Sequence, residues 1–485
     1  MNEAKVTHTD RALRGLRQLG LSQLLTQIVS WSLTAITVHI LHPQDYGLLA
    51  TAGMFTIFAQ MLIDGGLTEV LVSQRSLSTR TQGAAFTAVL LVASLVGAII
   101  FAIARPATTF FHKPALRAIL EVSAFYLPLT ALGFSPRVLL TKQMQFKNLG
   151  RIQLVTGVFQ GLSSLALAYA GEAYWALIIG NFLGMGLRVI LLWLTLIDKP
   201  TPNLHFRELL SVMHSGGRMI GQRFSYFGVD NLDIFLLSRF WGSADLGSYS
   251  VARGLAHTAL DKISAVTRQV SVPTFAAKTE TEDQLRGLLT VVSISATIAF
   301  PLFWIMGVVS QVALPMIFGL RWLKMVFPFA AFASILPFRT IYTLLNSSLI
   351  GTGRIDLTLK NTLTWILVLI PFLLAGVSNG ADGVALGWAA SFPIIFYIAM
   401  RRISKAFSIE VSALLKPLAI PAISAALSAS LSEGVLLALA KLVSPALLLI
   451  SQCVIAMLSF VIFLRVLNFS QYQQTLSFIR RVLRP

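Results

Sequence analysis

Twelve charged side chains fall in stretches otherwise apolar enough to cross a bilayer: Arg137, Arg188, Arg223, Arg253, Lys262 and Arg339, and Asp64, Glu69, Glu121, Asp230, Asp233 and Asp261. A charge at the bilayer centre costs about 2.5–3.5 kcal/mol on insertion scales, so such residues face a wet cavity or a partner. Arg137 and Glu69 lie near span ends and can snorkel. Helical spacing sorts several of the others. Arg223, Tyr226, Asp230 and Asp233 share one face at intervals of three and four, as do Arg253, His257 and Asp261. Gln23, Gln27, Ser30, Thr34 and Thr37 form an uncharged polar stripe.

Three chemistries fit these residues. Arg223–Asp230 and Arg253–Asp261 suit structural ion pairs that lock helices together. The arginines also suit a cationic lumen for an anionic substrate, because a guanidinium stays charged and its fork donates two parallel hydrogen bonds to a phosphate. Asp64, Asp230, Asp233 and Asp261 suit proton or sodium coupling. The expected substrate-facing set is Arg137, Arg223, Arg253, Arg339, Gln23, Gln27 and Tyr226. No catalytic group, cofactor or metal is expected. Cys453 is the sole cysteine, which excludes an internal disulfide and multi-cysteine zinc sites. The seven histidines form no HExxH pattern, and no GxxxxGK[ST] phosphate loop occurs.

The elements that must position these residues are membrane spans. Only 12% of residues are charged, and the mean hydropathy is +0.76. Soluble domains carry about 25% charged residues. The apolar blocks approach the roughly 20 residues of a helical span, and backbone satisfaction in lipid restricts them to helices or closed barrels. They are too long for barrel strands. The expected fold is therefore all-α and polytopic, with fourteen spans between residues 19 and 467, among them 46–72, 84–104, 117–140, 217–240 and 245–270. The N-terminal stretch reads as a basic arm and first span, not a cleaved signal. Trp31, Trp193, Trp241 and Trp322 read as interfacial anchors. Pro128, Pro301, Pro328, Pro371 and Pro393 read as kinks or hinges, and Gly184-Met185-Gly186 as tight helix packing.

With the N-terminus placed in the cytoplasm, only Arg105, Lys113, Arg117, Arg239, Arg321, Lys324 and Lys441 of the 38 Lys and Arg residues fall outside. That asymmetry matches the positive-inside rule for an even number of spans with both ends cytoplasmic. The net charge of +18 is thus a topology signal, and no nucleic-acid partner is expected. Arg401, Arg402, Lys405 and the basic C-terminus add to the same signal and suit anionic lipid headgroups.

Two halves echo each other at an offset of about 200 residues. Asp45-Tyr46-Gly47 matches Asp245-Leu246-Gly247, Pro136-Arg137 matches Pro337-Phe338-Arg339, and Gly150-Arg151 matches Gly353-Arg354. At this offset Gln23 corresponds to Arg223. Six spans per half return the chain to the same side, which predicts parallel repeats about an axis along the membrane normal. The expected organisation is a basic arm (1–18), an N-lobe (19–200), a C-lobe (201–403), two further helices (404–470) and a cytoplasmic tail (471–485), the lobes being related by pseudo-two-fold symmetry.

The segment Leu41–Gly47 followed by Asp64-Gly65-Gly66-Leu67 resembles the first hairpin of Wzx-type polysaccharide flippases of the multidrug/oligosaccharidyl-lipid/polysaccharide exporter superfamily. Asn231–Asp233 through Asp245–Tyr249 to Pro273 resembles their seventh and eighth spans, and Ser135–Arg137 with the basic loop to Arg151 the end of their fourth. The resemblance covers about residues 15–400. It implies two six-helix lobes, often with two further helices, that move undecaprenyl-diphosphate-linked oligosaccharides from the cytoplasmic to the periplasmic leaflet of the bacterial inner membrane. It also implies that Arg223, Arg253 and Arg339 meet the diphosphate, and that membrane lipids and the polymerase and glycosyltransferases of the pathway are partners. Two alternatives are a cation-coupled drug exporter of the same superfamily and a membrane-embedded glycan polymerase or acyltransferase. Cavity arginines repel cationic drugs, and no loop is long enough to carry acid–base chemistry.

Overall fold

A computed structural model describes residues 33, 35–64, 71, 78–196, 227, 228, 230–276, 281–352 and 354–483. Fourteen α-helices are defined among the described residues: α1 (Pro43–Asp64), α2 (Thr79–Phe111), α3 (Leu116–Leu132), α4 (Phe134–Lys142), α5 (Phe146–Tyr169), α6 (Ala173–Thr195), α7 (Ser243–Ala276), α8 (Thr281–Phe318), α9 (Val326–Gly351), α10 (Ile355–Gly376), α11 (Gly380–Ala406), α12 (Val411–Leu439), α13 (Pro445–Leu467) and α14 (Phe469–Leu483). Residues 35–40 and 230–240 are also helical. Ten segments of the described residues are long and apolar enough to cross a membrane, and the one over Asp356–Ala406 contains both α10 and α11. The protein is an all-helical, multi-pass membrane protein, as its composition dictates.

Helix α2 shows how membrane burial inverts the usual pattern. Its inward face is mostly small (Ala85, Ala88, Ala93, Gly97, Ala104), while Leu91, Leu95 and Ile99 are about half exposed. Small residues let backbones approach where lipid tails already satisfy the large apolar ones. The helix is capped by Ser78, whose Oγ accepts from the Thr81 N–H at 3.0 Å. It ends in the left-handed conformation of His112, at φ 57°. The Gly184 region behaves as expected. A Cβ on Gly184 would lie 2.6 Å from Gln160 Cβ, and one on Gly180 would overlap Ser164, so α6 seats against α5 through a small-xxx-small face.

Several expectations need refinement or correction. The expected span at 117–140 stands as one apolar segment, Leu116–Lys142, in which the helices α3 and α4 meet at Gly133. Pro136 has no N–H to give the Leu132 carbonyl. The Trp193 indole N–H donates to it instead, at 2.9 Å, from a half-exposed position near the end of α6. Trp322 is fully buried and anchors no interface. Pro328 sits in the first turn of α9, where a missing N–H is harmless. Glu121, by contrast, has the partner expected of a membrane charge: Arg117, one turn earlier on α3, holds it at 2.7 Å. Residues 469–483 of the tail fold as α14, fixed by Gln471 Nε2, which donates to the Pro417 carbonyl at 3.0 Å and to Thr297 Oγ1 at 3.3 Å.

The chain divides into two compact units, residues 1–247 and 248–485. In the first, α2 packs on α3 and α5 on α6, and an aliphatic core runs through Ile100, Leu116, Leu120 and Leu127. In the second, α8 packs on α9 and α12, α10 on α11 and α12 on α13, around the buried rings of Phe300, Phe303, Phe332, Phe392 and Trp388.

Within the first unit the N-terminal turns of α1 and α7 touch. In α1, Pro43 occupies the first helical position, and Asp45 Oδ2 accepts from the His42 N–H at 2.9 Å. Nearby, Lys113 on the loop between α2 and α3 is buried, 7% exposed, and its Nζ donates to Thr51 Oγ1 at 3.3 Å. Burial pushes its ammonium down to about 8. An unfolded lysine keeps its proton up to about 10.4. Between these values the unfolded chain holds a proton that the folded chain has released, so stability rises with pH across that window, and the burial penalty is full below it. The thermal midpoint in detergent is expected to rise from pH 8 to 10, and Lys113→Met to flatten that rise. Equal slopes for both proteins would refute it.

Candidate functional site

A cavity of about 520 Å³ lies inside the first unit, lined by α1, α3, α4 and α6. Ile57, Gln60 and Met61 come from one face of α1; Tyr126 and Thr130 from α3; Arg137 from α4; Met185, Arg188 and Leu192 from one face of α6. Arg137, one turn past Gly133 on α4, and Arg188, on α6, enter the same cavity. Arg137 is close enough to act on Arg188 electrostatically, and Tyr126 is its other titratable neighbour. Tyr126 is braced by Phe182, with ring centroids 5.3 Å apart, and Thr130 Oγ1 is committed to the Leu127 carbonyl at 2.7 Å. Among the described residues lining the cavity there is no carboxylate. Two guanidiniums thus share a membrane-embedded hollow of ligand size and repel one another there. Chemically, such a pair can donate both forks to a ligand with two or more negative charges, which offsets the repulsion.

In the second unit Arg339 has another environment. It is 4% exposed, and its guanidinium carbon stands 5.1 Å from the Trp365 ring and 5.3 Å from the Trp388 ring. Its Nη1 lies 2.9 Å from His257 Nε2. A guanidinium can only donate, so His257 accepts and is neutral. Arg253 is half-buried one turn before His257 on α7, and Asp261 is exposed one turn beyond. Asp230 is half-buried and Asp233 fully buried in the 230–240 helix.

Of the residues expected to form the site, Arg137 lines the first-unit cavity, while Arg339 and Arg253 belong to the second unit. Arg223, Tyr226, Gln23 and Gln27 lie outside the described residues, as does the side chain of Asp64. Arg188 was legible as a membrane-embedded charge but not as a site residue. The available signal was its isolation, since α6 carries no other charge.

The fold is that of polytopic transporters and flippases. The chain superposes on the lipid II flippase MurJ in an inward closed conformation with a TM-score of 0.75, at 12% identity, covering 96% of this chain and 99% of that one. An inward-facing multidrug resistance MATE family transporter of the MOP superfamily follows at a TM-score of 0.61 and 13% identity, covering 81% and 99%. Residues 36–327 match the family described as polysaccharide biosynthesis protein, and the chain belongs to that family. Its relatives include the succinoglycan biosynthesis transport protein ExoT of Rhizobium meliloti (strain 1021), 23% identical over 65% of each chain. The teichuronic acid biosynthesis protein TuaB of Bacillus subtilis (strain 168) is 24% identical over 62% of this chain and 63% of its own. The lipopolysaccharide biosynthesis protein WzxC of Escherichia coli (strain K12) is 22% identical over 74% and 75%. The match spans just under two thirds of the length of the first two of these relatives.

Proposed function

We propose that this protein is a flippase for lipid-linked oligosaccharides. It carries a prenyl-diphosphate-linked glycan from the cytoplasmic to the outer leaflet of the bacterial inner membrane for surface polysaccharide synthesis. The observation that carries this reading is the pair of guanidiniums, Arg137 and Arg188, in a membrane-embedded cavity with no carboxylate among the described residues of its lining. A diphosphate and a hydrated glycan cannot cross hydrocarbon unaided, whereas a cationic hollow holds the head while the prenyl tail stays in lipid. Relatives named for succinoglycan, teichuronic acid and lipopolysaccharide biosynthesis support the substrate class.

The reading includes two lobes, 19–200 and 201–403, rocking about the site with both termini cytoplasmic. It includes drive from an ion gradient, through Asp64, Asp230, Asp233 or Asp261, or from removal of product on the far side. A cationic-drug exporter is disfavoured because like charges repel strongly in a low-dielectric cavity. Purified protein in vesicles is expected to move a fluorescent prenyl-diphosphate glycan between leaflets, faster when a proton or sodium gradient is imposed. Flipping no faster than in protein-free vesicles would overturn the proposal, and indifference to both gradients would remove ion coupling.

A further inference from the structure

A second hollow lies in the second unit, where α14 meets α8 and α12. It measures about 570 Å³ and is lined by Ser293 of α8, Lys416 and Ile420 of α12, and Ser470, Gln471 and Gln474 of α14. Gln471 is only 6% exposed, and its Nε2 donates to the Pro417 carbonyl at 3.0 Å and to Thr297 Oγ1 at 3.3 Å. Those bonds pin the first turn of α14 to the second turn of α12.

The hollow presents donors. Lys416 is exposed, and its ammonium has no ion-pair or hydrogen-bond partner among the described residues. The Ser470 hydroxyl and the Gln474 carboxamide have none there either. Asn468 caps α14, its Oδ1 accepting from the Gln471 N–H at 3.0 Å, so that acceptor is taken. Helix geometry leaves the N–H groups of Phe469 and Ser470 without an intrahelical partner, and the helix dipole adds positive potential at the same end. No carboxylate is among the described residues of the lining. Glu410, the acid nearest to Lys416 in sequence, accepts from Ser412 Oγ at 2.8 Å. An unpaired ammonium, free side-chain donors and a helix N-terminus around one hollow suit an oxyanion.

Position selects which oxyanion. Helix α12 has 29 residues, about 43 Å of helix against about 30 Å of hydrocarbon, which leaves its first turns for the headgroup layer. Helix α13 ends at Leu467, and α14 begins two residues later. Along α14, Phe469, Tyr472, Leu476, Ile479 and Leu483 recur at intervals of three and four as an apolar stripe. Phe469 is 51% exposed. Ser470, Gln473, Ser477 and Arg480 make a neighbouring polar stripe, with Arg481 beside it. That is the pattern of a helix lying along a membrane surface with its cations at the level of the lipid phosphates. We propose that the hollow seats the phosphate of an anionic bilayer lipid. Lys416, Ser470, Gln474 and the start of α14 surround the phosphate, the acyl chains run beside the apolar stripe, and the lipid ties α14 to α12.

The test uses the purified full chain in nonionic detergent with added phosphatidylglycerol, phosphatidylcholine or glycerol 3-phosphate. Native mass spectrometry reads retained lipid, and a melting curve reads the thermal midpoint. Phosphatidylglycerol is expected to be retained in preference to phosphatidylcholine and to raise the midpoint more. Glycerol 3-phosphate, the same kind of anion without acyl chains, is expected to add nothing. Lys416→Ala is expected to weaken phosphatidylglycerol retention about fivefold, the share of one lysine at a membrane surface. Lys416→Glu is expected to abolish the preference over phosphatidylcholine. Lys416 is exposed and unpaired among the described residues, so both variants keep the fold. Arg188→Ala is the control and is expected to retain phosphatidylglycerol as the unaltered protein does. Equal retention of the two lipids, or an unchanged preference in Lys416→Glu, would overturn the site. Loss in Arg188→Ala without loss in Lys416→Ala would place the anion in the first-unit cavity and overturn it too. Stabilisation by glycerol 3-phosphate equal to that by the lipid would make this a site for soluble anions and refute the lipid. None of these readouts needs cargo to move, so failure of flipping in vesicles leaves them standing, and the two proposals fail separately.

Discussion

Arg188→Ala is expected to abolish or severely reduce export while leaving the folded protein as stable as before, or more so. The argument is electrostatic. Arg188 shares its cavity with Arg137 and has no carboxylate beside it among the described lining residues. In the empty state the two guanidiniums repel, so removing one relieves a cost. In the loaded state the same group supplies charge-assisted hydrogen bonds to a phosphate, each worth about 1.5–3 kcal/mol. Loss of one such contact weakens capture about 10- to 100-fold. Arg188→Lys keeps the charge but loses the fork, and is expected to recover part of the activity. Adding Arg137→Ala to Arg188→Ala is expected to cost less than the sum of the two single changes, because the residues act on one ligand. The measurements are prenyl-diphosphate binding or flipping in vesicles together with a thermal midpoint. A midpoint that falls with normal flipping would identify Arg188 as structural and refute the cavity's role.

Arg339→Ala is expected to do the opposite, lowering stability by about 3 kcal/mol through lost cation–π contacts and a lost hydrogen bond. Arg339 is buried between Trp365 and Trp388 and donates to His257. Its removal leaves a void between two indoles and takes this donor away from the imidazole. Arg339→Lys is not expected to rescue it, since an ammonium has neither the planar face nor the fork. The readout is a drop of several degrees in the thermal midpoint in detergent. An unchanged midpoint with lost diphosphate binding would instead return Arg339 to the substrate-facing set. The two arginine predictions therefore have opposite signs in stability, and one pair of melting curves separates a binding arginine from a structural one.

Arg137 and Arg339 nevertheless occupy matching positions of the internal repeat. Both follow a proline at the same stage of their halves, and residue pattern assigns both the same role. Pro136 follows the break at Gly133 that ends α3, and Arg137 opens onto the cavity. Pro337 lies inside the continuous α9, and Arg339 stands over the Trp365 and Trp388 rings. The local patterns resemble one another; the neighbours do not.

What depends on local chain properties was legible in the residues alone. Hydropathy and length dictated an all-helical, multi-pass protein, because unpaired backbone cannot sit in lipid. Asp45 and Asp245 fall in the first turns of α1 and α7, because an acidic residue near a helix N-terminus is a local preference. The isolated membrane charges announced a polar interior. Which of those charges meet was set by the packing of the helices. Arg137 beside Arg188, Arg339 beside His257, and Gly47 against Ser243 join residues far apart in the chain. Such meetings depend on how helices cross and where one breaks, and no local periodicity records that.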